Sequence, residues 1–155
     1  MASRRKGRIL AFQALYAWDL SGLLPSGSRA AGSAPESAEI PDWENFPDFS
    51  KLLVTGTIEN ITAIDSMIRG HLENWDFSRL NRVDLAILRI SVYALMFQPE
   101  TSPSITINEA ISISKEFGTN DSYRFINGVL DGILKSLETA KNNPQEAAIK
   151  NNESP

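Results

Sequence analysis

Residues 82–97 read RVDLAILRISVYALMF, and this stretch decides the fold. Val83, Ile87, Ile90, Ala94 and Phe97 recur at helical spacing, and Leu85, Leu88, Val92 and Leu95 add a second apolar stripe around the same cylinder. The polar positions make two narrow seams, Arg82 with Arg89 and Asp84 with Ser91. A helix apolar almost all round belongs inside a protein or a membrane. Sixteen residues interrupted by three charges fall short of the roughly 20 apolar residues that cross a bilayer. The stretch therefore predicts a central core helix packed on two or more sides, and the chain an all-α, single-domain helical bundle around it.

The rest of the composition fits that frame. A chain of 155 residues with 42% hydrophobic and 22% charged content suits one globular domain with a substantial core. No cysteine is present, which excludes disulfides, thiolate metal sites and cysteine nucleophiles, and the single histidine, His71, leaves little scope for zinc or imidazole chemistry. Net charge is −4, but Arg4, Arg5, Lys6 and Arg8 all precede the first acid, Asp19. A basic end on an acidic body points to local anion binding, not to a globally basic coat. Gln13 interrupts the apolar segment that an export signal would need, and Asp19 stands where a cleavage region belongs, so a cytoplasmic location is expected.

Outward from the central helix, residues 4–20 read as a first helix whose leading cations sit where the helix dipole prefers anions. Something else must favour them there. Residues 21–47 carry four of the eight prolines and read as a loop, with Trp43 and Phe46 docking its far end. Leu53, Thr57, Ile61, Ile64, Ile68, Leu72 and Trp75 form one stripe, predicting a long helix from Asp48 to Asn74 that Gly56 or Gly70 could break. Gln98–Ser104 reads as a loop. Thr106-Ile107-Asn108-Glu109 matches a capping box opening a helix that Gly118 ends. A last helix is expected from Asp121 to about Ala140, capped by Asn120 or Thr119. The domain thus spans 1–142, followed by a polar tail, 143–155.

No catalytic constellation, phosphate loop or dinucleotide fingerprint emerges, so no enzyme, no metal and no cofactor are expected. The basic cluster carries more. Arg5, Ile9, Phe12 and Tyr16 fall along one side of the first helix with Arg8 adjacent, a pattern able to grip phosphates and stack a base. Equally, it describes a solvated basic end above buried aromatics. On the last helix, Asp121, Phe125, Gly128 and Gly132 share a flank. The glycines suit close packing of a neighbouring helix, and Phe125 partial exposure.

The chain resembles the NusB family of transcription antitermination factors. The resemblance rests on RILAFQALYAWDL, RVDLAILRISVYAL and INEAISISKEFGTNDSYRFINGVLDGIL, which cover about a third of the sequence. It implies a non-catalytic, all-helical protein that binds the boxA element of ribosomal RNA leader transcripts with the small-subunit ribosomal protein NusE, in an antitermination complex on RNA polymerase. By motif, Arg4, Arg5, Lys6 and Arg8 would meet RNA phosphates, Phe125 and Asp121 would lie at the RNA surface, and Tyr16 and Asp84 would face NusE. For Tyr16 the family pattern is preferred to base stacking. The alternative is a helical protein–protein scaffold without RNA.

Overall fold

A computed structural model describes residues 4–20, 43–73 and 76–142. Six α-helices follow in order: α1 (Arg4–Leu20), α2 (Asp48–Glu59), α3 (Ile61–Arg69), α4 (Arg82–Phe97), α5 (Pro103–Phe117) and α6 (Ser122–Asn142). Short 3-10 turns at Trp43–Asn45 and Phe77–Arg79 precede α2 and α4. The proposed tail at 143–155 and most of the proposed loop, residues 21–42, lie outside the described residues. At the loop's far end, Trp43 and Phe46 pack together, ring centroids 5.5 Å apart, and lean on the core as expected.

Helix α4 is the hub. Every residue from Asp84 to Ala94 is buried, and the helix touches all five others. Asn81 opens it, its side-chain oxygen accepting from the backbone N–H of Val83 and Asp84 at 2.8 and 3.3 Å. Only at its end does the stripe emerge: Phe97 is exposed, leaning on Tyr93 with centroids 5.5 Å apart. Of the narrow seams, Asp84, Arg89 and Ser91 go inside with the rest, while Arg82 stays exposed. Arg89 donates to both carboxylate oxygens of Asp65 at 2.9 and 2.8 Å and approaches Asp19 at 3.9 Å, while Arg82 binds Asp19 at 2.7 Å. This chain of charges ties α3 and α1 to the hub.

Three local expectations are corrected. The long helix expected over Asp48–Asn74 is two, broken at Asn60, and the second ends early at Gly70, one of the two glycines expected to interrupt it. Beside the ordinary helical bond from its backbone N–H to the Gly56 carbonyl at 3.1 Å, Asn60 directs its side-chain amide to the same oxygen at 2.8 Å, a local side-chain bond that competes with helix continuation. No capping box forms at Thr106, because Pro103 occupies the first turn and α5 begins there, its fixed φ and missing N–H suiting that place. Thr106 lies one turn inside, and its Oγ1 and Glu109 Oε2 are buried without partners. Finally, α6 starts at Ser122, whose hydroxyl reaches back to accept from the Thr119 N–H at 2.9 Å.

Candidate nucleic-acid interface

The cations on the first two turns of α1 are held by other helices, which supplies what the dipole withholds. The Arg4 and Arg8 guanidiniums lie 4.2 and 5.5 Å from the centroid of the Phe49 ring on α2. Close approach of the two helices requires Gly7: a Cβ there would stand 2.8 Å from Phe49, and Ser50 Oγ donates to the Gly7 carbonyl at 2.9 Å. Arg5 pairs with Glu116 of α5 at 3.1 Å and donates to Ser112, yet its side chain stays 42% exposed. Arg4 and Lys6 are exposed. Burial lowers the pKa of half-buried Arg8, Glu109 opposing and Arg4 adding to the shift, but a guanidinium stays charged in proteins. The leading cations are therefore braced and still presented to solvent.

Phe12 meets Phe117 edge-on, with centroids 5.2 Å apart, joining α1 to the end of α5. Beyond lies a cluster that sequence reading missed. The Tyr123 ring has the Lys115 ammonium at 4.9 Å and the Arg124 guanidinium at 5.4 Å, and Arg124 Nε donates to its hydroxyl at 2.9 Å. The i, i+8 relation across the α5–α6 turn follows neither helical period nor any local motif, so only folding brings Lys115 to Tyr123.

Phe125 stands half-buried between two concavities. On one side a hollow of about 240 Å³ is lined by Arg79, Asn81, Asp84, Asp121, Ser122 and Phe125, among others. On the other, an open groove of about 390 Å³ runs past His71, Arg124 and Gly128. The flanking glycines divide. A Cβ on Gly128 would meet nothing within 4 Å, so its expected helix contact is absent, whereas one on Gly132 would come 3.2 Å from the His71 ring. That ring bridges helices, contacting the Met67 carbonyl and Ser136 Oγ at 2.8 Å each.

The site residues thus separate. Asp121 and Phe125 share the hollow as expected. Asp84, expected at a protein-facing surface with Tyr16, is 7% exposed and lines the hollow beside Phe125. The reason is its register: it sits two residues into α4, where the helix passes under the α5–α6 turn. Tyr16 is half-buried against the core on α1. Among the described residues no three acids or histidines cluster as a metal site, and no helix is long and apolar enough to cross a membrane.

An all-helical bundle with a braced cationic helix end, and aromatic-walled hollows beside the turn between its last helices, defines a small α-helical protein shaped for anionic, planar ligands. The chain belongs to the NusB family, whose model matches residues 5–135. Transcription antitermination protein NusB of Treponema denticola is 53% identical over 131 residues, covering 84% of this chain and 94% of that protein. The protein of the same name from Borreliella burgdorferi is 41% identical, covering 85% and 94%. Among solved structures, NusB of T. maritima superposes with a TM-score of 0.67 at 30% identity, over 86% of this chain and 92% of that one. A chain from the complex of antitermination factors NusB and NusE with dsRNA gives 0.68 at 27% identity, over 86% and 96%.

Proposed function

We propose that this protein is a non-catalytic, cytoplasmic antitermination adaptor that binds boxA RNA of ribosomal RNA leader transcripts together with the ribosomal protein NusE, within an antitermination complex on RNA polymerase. The observation that carries the reading is the placing of Arg4, Arg5, Lys6 and Arg8 on one helix end, next to the turn that displays Tyr123, Asp121 and Phe125. The four cations neutralise phosphates as the strand passes. Phe125 offers a ring edge or face to a base between the two concavities, and Asp121 accepts from amino groups at the rim. Lys115 and Arg124, flanking Tyr123, extend the track. Tyr16 belongs to the surface that meets NusE.

The test is RNA affinity across a salt series, with NusE present. The native protein should show a steep loss of affinity as salt rises. Replacing Arg4, Arg5, Lys6 and Arg8 with alanine should lower the slope of log K against log salt by about 2–3, at roughly 0.7 per phosphate contact on a single strand. A flat response from the native protein, with NusE binding intact, would leave the RNA-free scaffold as the better reading. Phe125→Leu should weaken binding while preserving the fold. Phe125→Asp is the poorer probe, because the ring also packs against the core.

A further inference from the structure

Two charges in this bundle stand at the wrong ends of their own helices. Arg5 lies in the first turn of α1, where the helix dipole disfavours a cation, and Glu116 in the last turn of α5, where it disfavours an anion. The two meet. Arg5 Nη2 donates to Glu116 Oε2 at 3.1 Å, and Arg5 Nη1 donates to Ser112, one turn earlier on α5. The edge formed by the two Nη atoms, a fork able to clasp a phosphate, is thus taken up by a hydroxyl and a carboxylate of the chain itself. Exposure sets this pair apart from the buried charges. The side chains of Arg5 and Glu116 are 42% and 53% exposed, so a ligand can reach both, whereas Arg89 and Asp65 are sealed in the core. Arg8 also feels an acid of α5, Glu109, but that carboxylate's Oε2 is closed off from solvent. Glu116 is the acid that an incoming strand can push aside.

Resting on the RNA-binding reading above, we infer that Glu116 is an intramolecular competitor of RNA: its carboxylate occupies Arg5 as a stand-in for a phosphate, and the strand must displace it to gain that cation. Carboxylate and phosphate are both oxyanions that accept from the same guanidinium fork. The carboxylate is carried on a packed helix, so it faces Arg5 at a high effective concentration and returns as soon as the strand leaves. The Arg5 contact is therefore weaker than an open arginine would give, and arrival of RNA releases the leading turn of α1 from α5. A carboxylate that only braced Arg5 for the strand would take the Nε side and leave the two Nη atoms outward. Here both Nη atoms are engaged.

The experiment reads the sign of one substitution. Single-stranded RNA carrying the boxA element is titrated with the full-length protein, NusE present, across a salt series. Glu116→Gln should bind about two- to fivefold more tightly than the native protein, the range that exposed ion pairs span. Its slope of log K against log salt should steepen by at most about 0.7, the share of one phosphate contact on a single strand. In an Arg5→Ala background the same substitution should bring little gain, because no cation is left to liberate. Weaker binding by Glu116→Gln would mean that the carboxylate orients Arg5 for the strand, and unchanged binding that it takes no part. Either result overturns the inference while leaving RNA binding intact. A gain that persists in full without Arg5 overturns it in favour of general repulsion between Glu116 and the strand. A native protein that fails to bind the RNA at all overturns the underlying reading as well.

Discussion

At the scale of single residues, buried charges are treated in two ways. Asp65 and Arg89 satisfy one another, while Asp84 keeps an oxygen without a partner. Burial raises the pKa of Asp84, which sets a sign. Its contribution to stability is complete below the carboxyl's unfolded pKa and is lost as pH rises through the higher folded value. Asp84→Asn should therefore match the native protein near pH 4 and melt at a higher temperature toward neutrality, the gap widening with pH in parallel thermal scans. A gap that narrows with rising pH would mean the carboxylate is stabilised where it sits. Sequence reading placed Asp84 and Arg89 on narrow seams, and that was correct. It had no means of pairing Arg89 with Asp65, 24 positions away, because an ion pair across helices leaves no periodic trace.

At the scale of the element, apolar periodicity gave five helices, one of which the structure divides into α2 and α3, and the other errors fell at helix ends. Helix limits depend on competition for a few backbone groups: Asn60 claims the Gly56 carbonyl, Pro103 starts α5 a turn early, and Ser122 turns back to Thr119. Gly118 does end α5, but by proximity and not by handedness. Its backbone is extended, and a Cβ would lie 2.6 Å from Ser122 Oγ and 2.7 Å from the Ser114 carbonyl. Two other glycines give opposite expectations. A Cβ on Gly56 would come within 2.3 Å of the Tyr93 ring, so Gly56→Ala should cost about 1–3 kcal/mol by overpacking α2 against α4. Gly128 faces open space, so Gly128→Ala should gain about 0.5–1 kcal/mol through helix propensity. Urea unfolding of the two variants checks both signs. In RNA titrations Gly128→Ala should bind more weakly, because the added methyl enters the groove beside Phe125.

Across the whole molecule, the hub α4 links the strand-facing side to the core. Arg89 reaches Asp65 on α3 and Asp19 near the end of α1, so the helix that presents the cations is anchored through the same guanidinium. Arg89→Ala should destabilise by about 3–5 kcal/mol, since it strands the Asp65 carboxylate in the interior, whereas Asp19 keeps Arg82 at 2.7 Å. Chemical denaturation would measure this directly. The basic end and the Asp121–Phe125 flank could be read from the sequence because each lies within one helix. The cluster around Tyr123 and the hollow over Asp84 could not, since residues on separate helices form them.

The buried bidentate pair also constrains descent. Once Arg89 changes alone, Asp65 is a naked charge in oil, and once Asp65 changes alone, Arg89 is left with only the 3.9 Å approach of Asp19; a marginally stable fold tolerates neither well. Lineages should therefore retain both residues or exchange both for apolar ones, so that two sites far apart in the gene behave as a single heritable character.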